Sequence, residues 1–269
     1  MRLASLNAID KFYQEPGPHL RYRALVPEPS SRPTLRRSWR LFRAFRVEQS
    51  DPDHFYGTLA ADSADQVGTF ADLDGAWVLD VGGGPGYFAD AFRDAGARYT
   101  ALDADAGEMS GRGDPEPGTV LGSGMRLPFA DASFDVTYSS NVLEHVLDPW
   151  LMADEMLRVT RPGGLVFISY TLWWGPWGGH ETAPWHFLGG QRAADRFAVK
   201  HGRRPKNDFG TSLFAVTARA GLDWASTQSD AIVVRTFPRY LPRWAWWVLR
   251  VPVLREVVTW NLAIVLRRR

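Results

Sequence analysis

Val78-Leu79-Asp80-Val81-Gly82-Gly83-Gly84-Pro85-Gly86 is the stretch that decides the fold of this 269-residue chain. A short apolar run starting at Trp77 stops at glycines and is followed by a helical pattern over Tyr87–Ala95. The sequence therefore reads as a buried strand, a tight turn and a helix start. Glycines admit positive φ and let a ligand approach the backbone closely. The first turn of the helix adds unpaired amides and a partial positive charge. Such a loop suits a dinucleotide pyrophosphate or the amino-acid end of S-adenosylmethionine (SAM). Gly84-x-Gly86-x-x-Ala89 matches the relaxed dinucleotide fingerprint, and Asp103 follows about 20 residues on. The loop alone does not choose between the two.

The flanking pattern repeats the strand–helix alternation. Tyr99–Leu102 reads as a second strand ending at Asp103, Val120–Leu121 as a third and Phe134–Ser139 as a fourth. A helix over Leu151–Val159 leads through Arg161-Pro162-Gly163-Gly164 into the strongest strand, Leu165–Tyr170. Alternating strands and helices imply an α/β fold with a parallel, doubly wound sheet. Residues 75–269 are assigned to this domain. Residues 1–33, with prolines at 16, 18, 27, 29 and 33, read as an N-terminal arm, and 34–74 as N-terminal helices that cap the sheet. Thr34 caps the first helix, which runs to about Gln49. Leu35, Trp39, Phe42 and Phe45 form its apolar stripe, with Arg36, Arg37, Arg40 and Arg43 largely opposite. The second helix spans Asp51–Phe70. Beyond the fifth strand come a loop over Trp173–Gly190 and helices at Gln191–His201 and Thr211–Ala220. Trp260–Leu266 reads as the last strand, with a helical insertion over Phe237–Glu256 before it.

Composition narrows the function classes. At 45% hydrophobic and 23% charged residues the chain has ample material for a core. A net charge of +1 with no recognition fold argues against nucleic acid. Zero cysteines exclude disulfides and thiolate metal sites. No signal peptide is expected, because Leu20–Val26 is short and interrupted by Arg21 and Arg23. Trp244–Leu266 is broken by Arg250, Pro252, Arg255 and Glu256, so no membrane span is expected. The expected location is the cytoplasm, with peripheral attachment at the inner membrane face.

The order of landmarks resembles the class I SAM-dependent methyltransferases. Those landmarks are Asp80, the Gly82/Gly84/Gly86 spacing, Asp103, Leu127-Pro128-Phe129, Ser133-Phe134-Asp135, Asn141-Val142-Leu143-Glu144-His145 and Arg161-Pro162-Gly163-Gly164. They cover about residues 75–170 and are similar to the group containing the ubiquinone and menaquinone methyltransferases. The resemblance implies a Rossmann-like sheet and SAM as cofactor, with S-adenosylhomocysteine as product. It implies that Gly82, Gly83 and Gly84 cradle the methionine end, with Asp80 orienting the loop or binding the amine. Asp103, with Ala104 beside it, takes the ribose hydroxyls. Gly124 and Met125 lie against adenine, and Asn141 lies beside the methionine part. Ser123 stands where the family commonly has an aspartate for the adenine amino group.

The resemblance also places acceptor chemistry after the fourth and fifth strands. His145, His180 and His186 are the candidate catalytic residues there, since imidazole titrates near neutrality. His180, Glu181 and His186 lack a zinc spacing such as His-Glu-x-x-His, so no metal is expected. Trp173, Trp174, Trp177, Trp185 and Phe187 crowd the loop beside them. Phe237, Tyr240, Leu241, Trp244, Trp247, Val248 and Val251 fall on one helical stripe, with Arg239, Arg243 and Arg250 mostly elsewhere. Basic helices bearing tryptophan suit an anionic membrane interface and an amphiphilic or lipid-linked acceptor. Residues 171–210 and 237–256 are therefore the expected acceptor- and membrane-facing elements. Segments such as Gly178-Gly179-His180-Glu181 and Phe237-Pro238-Arg239-Tyr240 resemble an actinobacterial methyltransferase branch associated with cell-envelope lipids. The leading expectation is methyl transfer to a lipid-linked or glycolipid hydroxyl. A SAM-binding scaffold without turnover and a nicotinamide oxidoreductase are the competing readings. The sequence leaves the oligomeric state open.

Overall fold

The computed structural model describes residues 32–115 and 118–269. The arm expected over 1–33 lies outside the described residues except for Arg32 and Pro33. Two helices, α1 (Leu35–Phe45) and α2 (Pro52–Val67), precede the sheet. The chain continues through β1 (Trp77–Val81), α3 (Ala89–Asp94), β2 (Arg98–Asp103), α4 (Ala106–Met109) and β3 (Thr119–Leu121). Next come β4 (Phe134–Ser140), α5 (Pro149–Val159), β5 (Thr160–Thr171), α6 (Gly190–His201) and α7 (Ala218–Thr227). It ends with β6 (Ala231–Pro238), α8 (Pro252–Val257) and β7 (Asn261–Arg268). The seven strands lie in the order β3-β2-β1-β4-β5-β7-β6. All run parallel except β7, which is antiparallel to both β5 and β6.

The chain winds outward from β1 to β3 and then returns to β4, so the crevice between the ends of β1 and β4 is the topological switch point. Strand alternation feeds two cores. Leu79, Val81, Val166 and Ile168 pack with Met152 and Met156 of α5 and Trp224 of α7. On the other face Val78, Val136, Tyr138 and Phe167 pack with Leu59, Val67 and Phe92 from α2 and α3. Local rules set the helix starts. Thr34, Asp51 and Asp148 cap α1, α2 and α5 through their side-chain oxygens, with Pro52 and Pro149 in the first turns.

Four readings need correction. The buried face of α1 is Arg37, Leu41 and Ala44, whereas Leu35 and Trp39 are 65% and 58% exposed. Arg37 turns inward because Asp62 of α2 meets it with two bonds, at 2.8 and 2.6 Å. The helix expected at Thr211–Ala220 begins only at Ala218, with Thr217 as its cap. The amides of Thr211, Ser212 and Leu213 are already used on the Asp208 carbonyl, which holds that stretch in turns. Strand β6 was hidden in Ala231–Pro238, so the insertion runs from Arg239 and Phe237 is buried in the sheet. Arg239, placed by the helical stripe on the polar side, is completely buried.

Arg239 joins the layers. Its Nε donates to Gln66 and one terminal nitrogen to Ser63, both on α2. That nitrogen also reaches Tyr138 of β4 at 3.1 Å, and the other reaches Ser140 and Ser169, each at 2.5 Å. Its own carbonyl accepts from Arg37 at 2.8 Å. Asp62, fully buried, is the carboxylate that balances this pair of cations, with Arg40 touching it from the surface at 3.1 Å. Asp62→Asn removes the carboxylate bonded to the buried Arg37 and should cost about 3–5 kcal/mol in urea unfolding. A loss below about 1 kcal/mol would contradict this role.

Candidate active site at the switch point

The glycine turn after β1 is held from below by one carbonyl. Leu102 O of β2 accepts from Gly82 N at 2.7 Å and from Gly83 N at 3.2 Å. Gly82 has φ +85, and a Cβ there would sit 2.4 Å from Val142 Cγ2. Gly84, at φ +50, has nothing within 4 Å of its Cβ position, so its face is open to a ligand. Asp103 is oriented by two backbone amides: Gly84 N reaches one carboxylate oxygen and Asp105 N the other, both at 2.9 Å. Asp80 is buried beneath the turn and accepts from Tyr99 Oη at 2.6 Å. Burial pushes its pKa up to about 7, against the opposing effect of the Tyr99 bond and with a further push from Asp103.

The rest of the rim comes from β3 and β4. Ser123 Oγ accepts from Met125 N at 3.2 Å, and Gly124 packs on the Met152 sulfur. Ala104 and Ser123 are exposed on the rim, with Gly124 and Met125 half-buried. Asn141 has φ +57, and its side chain is fixed by Asn261 of β7 at 2.7 Å and Ser140 at 3.2 Å.

Two residues after Asn141 the chain enters one 3-10 turn, Leu143–His145. Glu144 is buried, and its Oε1 accepts from Thr171 N at the end of β5, 3.0 Å away. His145 Nδ1 lies 2.7 Å from Ser212 O and must donate to it. The His145 and His180 rings are 5.0 Å apart and edge-to-face. His180 has φ +47, and burial with its two histidine neighbours lowers its pKa to about 3. It is therefore neutral throughout the physiological range. His186 is wholly buried, with Nε2 3.2 Å from Gly175 O, and burial lowers its pKa too. The structure thus brings His145 and His180 together and packs His186 into the loop behind them.

Aromatic and charged pairs tie the surrounding segments together. Tyr56 of α2 stacks on Tyr87 at 4.6 Å, Arg112 lies over the Tyr87 ring, and Lys206 bridges to Glu108 at 2.9 Å. Glu48 accepts from Tyr56 at 3.0 Å, and burial raises its pKa. Phe45, Trp177 and Trp260 pack as neighbours beside it.

This arrangement has counterparts. The family described as methyltransferase domain matches residues 79–168. An uncharacterized methyltransferase of Mycolicibacterium gilvum is 53% identical over 254 residues, spanning 88% of this chain and 96% of its own. A relative of the same description from Mycobacterium tuberculosis strain H37Ra is 55% identical over 245 residues, spanning 87% and 96%. The chain belongs to the class I SAM-dependent methyltransferases. Its fold also matches a SAM-dependent methyltransferase from Mesorhizobium loti, with TM-score 0.52 at 19% identity over 78% of this chain and 98% of that one. A structure from Listeria monocytogenes gives 0.51 at 13% identity over 78% and 97%.

The residues present fit SAM. The open face of Gly84, the pre-oriented Asp103 carboxylate and the buried acid Asp80 supply a close-approach turn, a diol acceptor and a negative group for a cationic ligand. Asp103 would hold the ribose, Gly82–Gly84 the methionine end, and Gly124 and Met125 the adenine. The Ser123 hydroxyl already accepts one amide, which leaves a weaker adenine partner than a carboxylate. Sequence reasoning missed Tyr99, the Asn261 brace on Asn141 and the Tyr56–Tyr87–Arg112 cluster. None has a local signal, because each partner comes from a distant segment. Glu144 was visible within its motif but had no assigned task.

Two measurements test this half of the site. Asp103→Ala should weaken SAM by about 1.5–3 kcal/mol in calorimetric titration, the scale of a charge-assisted bond. An unchanged isotherm would remove Asp103 from the cofactor site. The second concerns pH. The folded-state pKa of Asp80 lies above the ordinary carboxylate value, so the folded protein keeps a proton that the unfolded chain loses. That contribution to stability is complete below pH of about 4 and is lost as pH rises through 7, by at most about 1.4 kcal/mol per pH unit. Ligand-free protein should show this slope in unfolding titrations and Asp80→Asn should lack it; equal slopes would refute it.

Proposed function

We propose that this methyltransferase modifies a hydroxyl of a lipid-linked or glycolipid acceptor while resting on an anionic membrane surface at the cytoplasmic side. The observation that carries the reading is a run of exposed apolar side chains on one side of the molecule. Trp244 and Trp247 are 72% and 51% exposed, with Val251, Val253, Val257 and Val258 exposed along the same segment. Leu35 and Trp39 on α1 join them, since Arg243 N donates to Pro33 O at 2.7 Å next to the start of α1. Exposed Arg36 and Arg43 flank Trp39 on its helix. Indole at headgroup depth with arginine meeting anionic lipid is the usual chemistry of such a surface. No helix among the described residues is long and apolar enough to cross a membrane.

The same surface leads toward the site. Trp39 contacts Phe42, Phe42 contacts Trp260, and Trp260 contacts Phe45 and Trp177. His180 N in turn donates to the Trp177 carbonyl at 2.9 Å. An acyl or prenyl chain following these rings would present its polar end to His145 and His180. SAM supplies a methyl group on a cationic sulfur, ready for displacement. The chain's own contribution is to align the acceptor oxygen and exclude water.

The envelope role rests on the resemblance of residues 178–181 and 237–240 to an envelope-associated branch. The test uses labelled SAM with membrane-lipid extract, reading label in the organic phase. Trp244→Ala with Trp247→Ala should reduce co-sedimentation with anionic vesicles severalfold at unchanged melting temperature, because both rings are solvent-exposed. Equal sedimentation of the double variant, or label that never enters lipid, would sink the proposal.

A further inference from the structure

Glu144, His145 and His180 share a feature that an acceptor alone does not explain. Each has its outer atom fixed and its inner atom unmatched. Glu144 is 1% exposed, and while Oε1 holds Thr171 N, its Oε2 is buried with no partner. His145 donates from Nδ1 to Ser212 O, which leaves the lone pair on Nε2. His180 Nε2 is buried without a partner, and its Nδ1 faces the Asn207 amide at 3.5 Å. One ligand atom from each residue lies within 4.8 Å of those of the other two.

An unpaired buried acceptor costs about 1–3 kcal/mol, and a buried carboxylate more. Glu144 Oε2 is such an acceptor, His180 Nε2 is a second when the ring proton sits on Nδ1, and with the His145 lone pair the three call for a cation. The nearby ammonium does not supply it, since Lys206 is engaged with Glu108. Side chains bound to one ion at about 2.1 Å stand about 3.4 Å apart in a tetrahedron, so the cluster closes on an ion by small side-chain rotations. Outer-atom anchoring of this kind is how metal-binding imidazoles and carboxylates are oriented. The Asn207 amide can turn its carbonyl to His180 Nδ1–H in the same way. Two imidazoles and one carboxylate exclude the calcium and magnesium class, which takes oxygen shells. The donor set suits divalent ions from manganese to zinc. His145 and His180 are each partly exposed, which leaves an entry path.

We propose that Glu144, His145 and His180 bind one divalent transition-metal ion with coordination positions left open toward the acceptor crevice. Three protein ligands with an open position is the arrangement of reactive rather than purely structural metal centres. The open position takes an oxygen, from water or from the acceptor, and an oxygen so bound loses its proton more readily. The inference holds whether or not the acceptor is a lipid. No short metal-binding spacing marks these ligands in the sequence. Here two adjacent residues of one 3-10 turn meet a third ligand brought back by the loop after β5.

Cobalt(II) is the probe. Full-length protein stripped with chelator should take up one equivalent, with a visible absorption band that zinc displaces. Glu144→Gln keeps a carbonyl for Thr171 N–H, and it and His180→Ala should each weaken cobalt at least about 100-fold, more than losing an outer-shell partner costs. Melting in chelator reads folding separately. X-ray absorption on the wild-type cobalt protein should report imidazole nitrogen in the shell, which decides the matter even where a variant folds poorly. No uptake by wild-type protein, an all-oxygen shell, or unchanged affinity in both folded variants would overturn the site.

Discussion

A guanidinium with no exposed surface is the constraint around which this molecule is arranged. Arg239 can be buried only if its donors are matched at once, and they are matched by α2, β4 and β5 together. Its charge is answered at one remove, through the Asp62 carboxylate that grips Arg37, while Arg37 reaches the Arg239 carbonyl. Shifting any of these elements leaves a buried charge or hydroxyl without a partner, at a cost comparable with much of a domain's net stability. The two N-terminal helices are thereby part of the sheet domain's polar interior. Ser140 and Ser169, which receive one end of Arg239, pair in register on β4 and β5. The loop carrying Asn141 and Glu144 leaves directly from Ser140 at the end of β4.

The two halves of the site are built differently. Backbone makes the cofactor half: one carbonyl of β2 holds two loop amides, and a third loop amide aims Asp103. Side chains of distant origin make the half around His145 and His180. Glu144 spans from the end of β4 to the end of β5, and His145 reaches the 208–217 turn segment. Phe214 N returns to Glu144 O at 2.8 Å, which ties that segment to the same turn. Aromatic rings from α1, α2 and the 171–190 loop pack against one another beside it. A backbone-built half depends on glycine spacing and strand ends, whereas the other half depends on long-range packing.

That difference explains what could be read in advance. β1 was legible to the residue, and the glycine turn, Asp103 and Asn141 followed, because strand–turn–helix chemistry is local. Mixed polarity concealed β6: Arg235 and Thr236 interrupt its apolar run, and Phe237 looked equally at home on a helix. On α1, Phe42 and Phe45 pack inward as the stripe implies, whereas Leu35 and Trp39 give way to Arg37. No local rule anticipates that arginine, because it is buried by virtue of Asp62, 25 positions on. Leu213, Phe214 and Val216 have helical spacing, yet the Phe214 amide and the Val216 carbonyl are taken by Glu144 and Trp173. The approach of His180 to within 4.8 Å of Glu144 was invisible for the same reason.

A crystal structure with S-adenosylhomocysteine tests the central claim most directly. The ribose diol should lie on the Asp103 carboxylate and the homocysteine end on the Gly82–Gly84 turn, with the sulfur facing the side where Asn141, His145 and His180 stand. A nucleoside bound elsewhere, or one whose sulfur faces away from that cluster, would contradict both the cofactor assignment and the placing of the acceptor.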